Sequence, residues 1–257
     1  MVFLPQVPSA DQVEAFYRGY GHFKDYVPTR LSWFQTRARA QSDPYLKILN
    51  DTGGLRGKSL LEIGCSFGNF LRSAKFKGAQ VAGVELDQAA LRHLDELGIP
   101  AVPRMEESGG LRDVVCAFQV IEHLHQPGAF VQTMAERLVD DGRLLLALPN
   151  GGEWEEAGPS WIGFRVDLEH FNYFNARTLS LLLAQHHLYV EHMWTHAQPF
   201  LQRQRDVQSR AKRGFGLHVV DKILNGRWRP GLAPDSSAGK FVLTVLARKT
   251  AAAQPRD

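Results

Sequence analysis

The sequence predicts an α/β fold, in which a doubly wound sheet carries helices on both of its faces. Two observations predict it. Short apolar runs bounded by Gly, Asp or Pro recur between residues 58 and 149, as expected of strands buried on both sides of a parallel sheet. Segments with helical spacing separate these runs, and strands that alternate with helices form a doubly wound sheet.

The predicted strands lie at 58–63, 79–86, 113–118 and 142–149, with a weaker one at 99–102. Between them, helices are predicted from the sequences NFLRSAKFKG, DQAALRHLDELG and PGAFVQTMAERLVDDG. Asp87 is the expected N-cap of the second helix. Gly98 and Gly142 are the expected ends of the second and third helices.

The pattern changes after Pro149. A helix is predicted at 176–186, a strand at 189–194 and a final strand at 239–249. The residues between the last two strands are too many for a hairpin turn and form a predicted insertion at 195–238. Residues 1–50 are expected to form a helical cap on a core at 51–249, and residues 250–257 a frayed tail.

The composition is that of an ordinary globular protein, with 44% hydrophobic and 22% charged residues. No apolar run reaches the length of about 18 residues that predicts a membrane span, and the N-terminal sequence lacks the features of a secretory signal. Cys65 and Cys116 are too few for a disulfide scaffold or a cysteine-only zinc site. We therefore expect a cytoplasmic protein with no membrane partner.

Basic residues concentrate in the predicted insertion. Residues 201–230 contain eight Lys or Arg and two Asp, a net charge of +6 in a chain whose total is +3. A solvated surface segment is the favoured interpretation. A lid over an acidic substrate and an RNA-binding surface are the alternatives, although only Phe215 and Trp228 could stack on bases there.

The segment EIGCSFGNF follows the first predicted strand and has the features of a loop that binds a cofactor. Gly64 permits a sharp turn off the strand, and Gly68 lets the next helix begin close to it, with free N–H groups facing a ligand. A dinucleotide loop would read G-x-G-x-x-G, whereas Ser66 stands here in place of the middle glycine. Because Glu62 would repel a pyrophosphate and attract an amino group, the loop favours a cationic ligand over a nicotinamide dinucleotide.

An acid at the end of the second strand bears on the same site. Glu85 lies twenty-one residues after Gly64, where a carboxylate can accept hydrogen bonds from both hydroxyls of a ribose. The alternative is that Glu85 and Asp87 only cap the helix that follows. The loop and the spaced acid together indicate a cofactor site more strongly than either alone.

With these residues, the chain resembles the class I S-adenosylmethionine-dependent methyltransferases over roughly 60–194. The resemblance is carried by LLEIGCSFGNFL, VAGVELD, RDVVCAFQVIEHLHQP and DGRLLLALPN, in this order. The segment DLEHFNYFNARTLSLLLAQHHL is similar to the small-molecule branch, which includes ubiquinone-type O-methyltransferases and enzymes of sugar and natural-product tailoring. The resemblance implies a Rossmann-like, seven-stranded sheet with an antiparallel last strand, and S-adenosyl-L-methionine as the cofactor.

The resemblance also implies a set of cofactor-binding residues, in which Glu85 binds the ribose, Leu86 packs on the adenine and Glu106 meets the adenine amino group. An arginine of the cap, Arg37 or Arg39, is expected to hold the carboxylate of the cofactor. Glu62, Gly64 and Gly68 are expected to surround the methionine moiety, and Phe118 and Gln119 to line its end. The full set is Glu62, Gly64, Cys65, Ser66, Gly68, Asn69, Phe70, Glu85, Leu86, Glu106, Phe118 and Gln119.

The segment QVIEHLHQP bears on metal binding. Gln119, Glu122 and His123 have the spacing i, i+3, i+4 and would share one face of a helical turn. Similar segments of ubiquinone-type and small-RNA methyltransferases carry Glu-x-x-Glu-His and bind a divalent metal. Because Gln119 replaces the first glutamate, a hard cation loses a ligand here, and we predict a site without metal.

His170, His123 and Tyr173 are the predicted catalytic residues for methyl transfer to a hydroxyl of a sugar or natural-product intermediate. Histidine can accept the proton of such a hydroxyl at cellular pH. His170 is the preferred base, because it lies among aromatics that could hold a substrate ring, and His123 is the reserve. These aromatics either seal a loop or form a wall of the acceptor pocket; they are Trp154, Trp161, Phe164, Phe171, Tyr173 and Phe174.

Two other functions remain open at this point. One is an RNA methyltransferase that uses the basic segment 201–230, and the other is a protein that binds S-adenosylmethionine without catalysis. The favoured partner is a small-molecule acceptor rather than a nucleic acid. Neither the identity of the acceptor nor the oligomeric state follows from the sequence.

Overall fold

A computed structural model of the protein describes residue 9 and residues 32–154, 170–196 and 241–250. The strands in these ranges are β1 (Ser59–Ile63), β2 (Gln80–Val84), β3 (Ala101–Val102), β4 (Arg112–Phe118), β5 (Leu138–Pro149), β6 (Leu188–His196) and β7 (Val242–Lys249). The α-helices are α1 (Trp33–Ser42), α2 (Pro44–Asp51), α3 (Asn69–Phe76), α4 (Gln88–Glu96), α5 (Pro127–Glu136) and α6 (Ala176–Gln185). Short 3-10 helices span Met105–Ser108, Ile121–His123 and Gly151–Glu153.

The strands form one seven-stranded sheet in the order β3-β2-β1-β4-β5-β7-β6. Strand β7 runs antiparallel to both of its neighbours, and the pairs among β1 to β5 are parallel. The α/β fold and the antiparallel last strand predicted from the sequence are confirmed. Strand order reverses between β1 and β4, and ligands of doubly wound sheets bind at the carboxyl ends of strands beside such a switch point.

Neighbouring leucines of β1 show how the sheet is buried on both sides. Leu61 packs with Met134 of α5 and Leu179 of α6 on one face, and Leu60 packs with Leu71 of α3 and Leu94 of α4 on the other. Adjacent strand residues point to opposite faces, so a continuous apolar run is required where both faces are covered. Burying each such side chain contributes roughly 1.5–3 kcal/mol.

Two of the predicted helix boundaries are confirmed and a third is wrong. Asp87 caps α4 as expected, because its carboxylate accepts a hydrogen bond from the Ala90 N–H at 2.8 Å. Gly98 follows α4 with φ +61°, the left-handed conformation that glycine adopts at helix ends. The expectation for Gly142 is wrong, since α5 ends at Glu136 and Gly142 lies within β5. A Cβ at position 142 would come 2.8 Å from the Val139 carbonyl oxygen, so close backbone approach explains this glycine.

The described part of the predicted cap consists of α1 and α2. Ser32 begins α1 with a capping box that includes Gln35, and Asp43 begins α2 by accepting from the N–H groups of Tyr45 and Leu46. Leu46 is fully buried in the cluster that also contains residues of β1 and α3. The two helices therefore pack on the same face of the sheet as α3.

Several predictions concern residues outside the described ranges. These are the first part of the cap, the aromatic residues Trp161 and Phe164, the tail from residue 251, and residues 197–240, which hold most of the predicted insertion and its basic segment. Among the described residues, no helix is long and apolar enough to cross a membrane.

Candidate active site

The loop between β1 and α3 turns through three residues with left-handed backbone. Gly64 has φ +71°, Ser66 φ +48° and Gly68 φ +68°. A Cβ at Gly64 would come 2.7 Å from the Val120 side chain, and a Cβ at Gly68 would collide with Leu94. Both glycines are therefore required by space as well as by conformation, whereas Ser66 adopts a conformation that side chains disfavour.

Glu85, which directly follows β2, holds this loop in place. Its Oε2 accepts a hydrogen bond from the Ser66 N–H at 2.7 Å, and its Oε1 accepts from the Asp87 N–H at 2.9 Å. An ionised carboxylate offers about four acceptor positions, so both oxygens retain capacity for a ribose hydroxyl. The bond to Ser66 also explains how the unfavourable backbone at that residue is maintained.

Glu62, at the end of β1, is a buried acid with an unmet hydrogen-bonding capacity. Only 5% of the residue is exposed, and its Oε2 has no hydrogen-bond partner. Burial raises the pKa of Glu62 well above its usual value, and the nearby Asp43 and Glu85 raise it further. A cationic group placed here would meet the uncompensated carboxylate, so the site fits the amino group of S-adenosylmethionine.

Three aromatic rings stand beside the loop at the end of β4. Tyr45 of α2 stacks on Phe118 with ring centroids 4.2 Å apart, and Phe70 of α3 meets Phe118 edge-on at 4.9 Å. Phe70 and Phe118 were predicted from the sequence, and Tyr45 was not. The only signal at Tyr45 is the preceding Asp43-Pro44, which predicts a helix start but does not indicate which side chain of α2 faces the site.

The two candidate arginines of the cap differ in where they point. Arg39 donates a hydrogen bond from Nη1 to Oδ1 of Asn69, the first residue of α3, at 2.6 Å. Arg37 instead lies 5.4 Å from the ring centroid of Trp33 in a cation–π contact. Of the two, Arg39 is therefore the one at the cofactor loop.

The remaining predicted cofactor residues lie in three environments. Leu86, which follows β2, is 61% exposed. This exposure suits the predicted packing of its side chain on the adenine ring. Glu106 is exposed on the 3-10 helix that follows β3. Cys65, however, packs its side chain into the core against Gly83, where burial raises the pKa of its thiol, so only its backbone can reach a ligand.

The segment after β4 is not the helical turn that residue spacing predicts. Gln119 has φ +56° and donates its backbone N–H to the Ala147 carbonyl oxygen at 2.7 Å. The 3-10 helix begins only at Ile121. The expectation that Gln119 shares a helical face with Glu122 and His123 is therefore wrong, because its left-handed backbone bends the chain before the helix starts.

A different partner joins Glu122 and His123, namely His170. One ligand atom from each of the three side chains lies within 4.8 Å of the others, and the rings of His123 and His170 are 4.7 Å apart. The backbone explains this proximity, because the N–H groups of Phe171 and Asn172 both donate to the Glu122 carbonyl oxygen, at 2.8 and 3.1 Å. We call Glu122, His123 and His170 the Glu–His–His cluster.

Burial controls the protonation of this cluster. Glu122 is fully buried, which raises its pKa to about 8. Burial, together with a smaller contribution from the neighbouring His123, lowers the pKa of His170 to about 3. At neutral pH His170 is therefore an uncharged imidazole with a free electron pair, while Glu122 favours its neutral form unless a positive charge lies close.

Tyr173, the third predicted catalytic residue, stands next to the cluster but faces the core. Its ring centroid is 6.3 Å from that of His170, and the residue packs with Phe241 and Val242. Burial raises the pKa of its hydroxyl. Phe171 and Phe174 are also buried, so these three of the predicted aromatics belong to the interior, whereas Trp154 is 37% exposed.

A glycine loop held by an acid, at the switch point of a doubly wound sheet, is where Rossmann-like folds bind a nucleotide-containing ligand. Residues 34–193 match the methyltransferase domain family. The chain therefore belongs to this family and is a class I S-adenosylmethionine-dependent methyltransferase.

Individual relatives agree with this membership. A ubiquinone biosynthesis O-methyltransferase of Acinetobacter baumannii (strain AYE) is 26% identical over 135 residues, which cover 48% of this chain. The match spans about half, 51%, of that relative's length.

Two solved structures share the fold. Magnesium protoporphyrin IX methyltransferase from Synechocystis PCC 6803, crystallised with bound SAH, has a TM-score of 0.59 at 12% identity and covers 94% of this chain and 100% of its own. The cyclase SpnF has a TM-score of 0.60 at 17% identity and covers 98% of this chain and 100% of its own. At these identities the similarity concerns the fold alone.

Proposed function

We propose that the protein transfers the methyl group of S-adenosylmethionine to a hydroxyl of a small-molecule acceptor. The observation that carries the proposal is the Glu–His–His cluster, which begins four residues after Phe118 and so lies just beyond the cofactor loop. Buried ionisable groups with perturbed pKa values concentrate at functional sites.

Methyl transfer to a hydroxyl requires two things of the protein, alignment of the acceptor and removal of its proton. The sulfonium of the cofactor makes the methyl group reactive, so the protein chiefly aligns the acceptor and excludes water, which can lower the barrier by several kcal/mol (about 7 or more in well-oriented systems). A hydroxyl acceptor must also lose its proton as it attacks. His170 offers an uncharged imidazole nitrogen for this task, and its assignment as base, with His123 in reserve, stays our prediction.

The nature of the acceptor is inferred from the relatives and from the aromatic residues near His170. The relatives named above act, by name, on ubiquinone precursors and on a magnesium porphyrin, and the former carry out O-methylation. A sugar or natural-product hydroxyl is compatible with the half-exposed Trp154 and the buried aromatic seal behind His170. The RNA alternative depends on residues 201–230, which lie outside the described ranges, and no described feature favours it.

The test is turnover with S-adenosylmethionine and a panel of hydroxylated aromatics and sugars, followed by formation of S-adenosylhomocysteine. With the best acceptor, His170→Ala is expected to lower kcat by about 100-fold or more, because a general base contributes 10² to 10⁴. Cofactor affinity is expected to remain unchanged, since His170 lies outside the loop.

His192→Ala, which removes an exposed histidine on β6, is the matched control and is expected to leave kcat unchanged. Near-normal kcat in both His170→Ala and His123→Ala would contradict the catalytic role of the cluster. Tight cofactor binding without turnover on any acceptor would instead indicate a binding protein.

A further inference from the structure

Three aromatic side chains from three elements meet beside the cofactor loop, and we call Tyr45, Phe70 and Phe118 the aromatic corner. The rings of Tyr45 and Phe118 lie 9° from parallel with their centroids 4.2 Å apart, and the ring of Phe70 meets that of Phe118 at 75°. Two ring planes that meet nearly at a right angle leave a corner in which a small group contacts an aromatic face on two sides. Tyr45 and Phe118 are partly exposed, so part of their surface is available to a ligand.

The strand register places the aromatic corner at the cofactor loop. Ile63 of β1 is paired with Ala117 of the parallel strand β4. The residues that follow them, Gly64 and Phe118, are therefore neighbours at the carboxyl edge of the sheet. Phe70 is the second residue of α3, the helix that begins at the other end of the loop. The rings of Phe118 and Phe70 thus belong to the two ends of the loop that holds the ligand.

The charged sulfur of S-adenosylmethionine belongs in the same space. This sulfur joins the ribose to the amino-acid chain, so it lies between the group that meets Glu85 and the group that meets Glu62. Tyr45 is near both this space and the Glu–His–His cluster. Burial raises the pKa of its hydroxyl, and the charges of Asp43 and Glu122 raise it further. Asp43 in turn raises the pKa of Glu62, so one electrostatic neighbourhood contains Tyr45 and the acid at the amino group.

We propose that Tyr45, together with Phe118 and Phe70, binds the positive sulfonium and so raises the affinity for S-adenosylmethionine relative to S-adenosylhomocysteine. An aromatic face attracts a cation within about 6 Å of the ring centroid, and more strongly where water is excluded. The methyl donor carries a positive charge on its sulfur, whereas the demethylated product has a neutral thioether there. The two molecules are otherwise the same, so contacts to adenine, ribose and amino acid contribute to both affinities.

The aromatic corner differs from the neighbouring acids in what it can distinguish. Glu62 attracts an amino group that donor and product both carry, and Glu85 accepts from a ribose that both carry. Only a group at the sulfur itself can respond to the charge that is lost on methyl transfer. A surface that favours the charged form limits how tightly the product is held after the reaction. The proposal concerns the cofactor and does not depend on which acceptor the protein uses.

Calorimetric titration with S-adenosylmethionine and with S-adenosylhomocysteine tests the proposal through the ratio of the two Kd values. Tyr45→Leu removes the ring and keeps an apolar side chain, and we expect the ratio to shift against S-adenosylmethionine by about 5-fold or more. Tyr45→Phe keeps the ring and is expected to leave the ratio within about twofold of the wild type. Tyr189→Leu, which removes an exposed tyrosine of β6, is the matched control and is expected to leave the ratio unchanged.

A charged analogue gives a second readout. Sinefungin carries an ammonium group where S-adenosylmethionine carries its methylated sulfur, so it has the positive charge but cannot transfer a methyl group. Tyr45→Leu is expected to weaken sinefungin binding about 5-fold more than it weakens S-adenosylhomocysteine binding. Because a variant that only disturbs the loop weakens all three ligands alike, the ratios separate charge recognition from a structural role. Phe118→Leu serves where Tyr45→Leu fails to fold, and the same shift is expected.

Two results would overturn the proposal. One is a ratio of Kd values that stays at the wild-type level in both Tyr45→Leu and Phe118→Leu. The other is a shift in Tyr45→Phe as large as that in Tyr45→Leu, which would assign the effect to the hydroxyl instead of the ring. The titrations contain no acceptor. A failed methyl-transfer assay therefore leaves the binding result standing, and unchanged ratios leave the methyl-transfer proposal to its own assay.

Discussion

Two acids at the ends of neighbouring strands are held in opposite ways, and this difference separates their functions. Glu85 accepts hydrogen bonds from two backbone N–H groups and so orders the loop around Ser66. Glu62 is buried with an oxygen that accepts none. Glu85 therefore stabilises the folded loop, whereas we propose that a positively charged group of the ligand meets the unpaired Oε2 of Glu62.

Replacing Glu85 tests the first of these roles. Glu85→Ala removes the acceptors for the ribose hydroxyls and for the Ser66 N–H, so we expect binding of S-adenosylhomocysteine to weaken by about 1–3 kcal/mol, roughly 5- to 150-fold. Titration calorimetry measures this directly. Glu85→Gln keeps one acceptor oxygen and is expected to lose less.

Glu136→Ala, at the end of α5 and away from the loop, provides the control and is expected to bind like the wild type. Unchanged affinity in Glu85→Ala would show that Glu85 only shapes the helix start. Tight binding of NAD by the wild type would contradict the cofactor assignment as a whole.

At the scale of helices and strands, local patterns predict most elements but not their contacts. The strands were found because apolar runs such as that around Leu60 and Leu61 are buried on both faces, which leaves a continuous signal in the sequence. The prediction that Gly142 ends a helix was wrong, because a glycine required by close backbone approach cannot be told in the sequence from one that ends a helix. The proximity of His170 to Glu122 could not be predicted from residue spacing, because it depends on hydrogen bonds between segments about 48 residues apart.

The contact between α1 and α3 gives the cap a predicted role in cofactor binding. Arg39 already donates to Asn69 at the start of α3, where a carboxylate of the cofactor would add a second acceptor. Arg39→Ala is therefore expected to weaken S-adenosylhomocysteine binding about 10-fold or more, because hydrogen bonds to charged groups contribute roughly 1.5–3 kcal/mol.

Arg37→Ala removes the same charge one half-turn away on α1, where the guanidinium lies over Trp33. It is expected to leave the affinity within twofold of the wild type, and calorimetry of the two variants side by side gives the comparison. A larger loss in Arg37→Ala than in Arg39→Ala would exclude Arg39 as the carboxylate-binding residue.

Across the whole molecule, Glu62 and Asp43 at the carboxyl end of the sheet differ from Asp113 at its amino end in how folding shifts their pKa values. At the carboxyl end, burial raises the pKa values of Glu62 and Asp43, so their ionisation opposes folding. At the amino end, Asp113 accepts hydrogen bonds from the backbone N–H and hydroxyl of Ser59, both at 2.8 Å, and from Lys58 at 2.9 Å. Asp113 thus joins β1 to β4 with hydrogen bonds that stabilise its ionised form.

The last prediction concerns Asp113 and the pH dependence of stability. Burial alone would raise the pKa of Asp113, but the hydrogen bonds from Ser59 and Lys58 outweigh it, so the pKa lies below its ordinary value of 3.8. A carboxyl whose pKa is lowered by folding stabilises the protein above its unfolded pKa, and this contribution disappears as the pH falls through the folded pKa. We expect Asp113→Asn to lower the free energy of unfolding by about 1 kcal/mol at pH 6 and to have a smaller effect near pH 3. Urea unfolding of both proteins at the two pH values measures the difference, with Asp140→Asn, an exposed acid of β5, as the control. An Asp113→Asn effect that is equal at both pH values, or larger in acid, would show that the carboxylate charge at the amino end contributes nothing to the folded sheet.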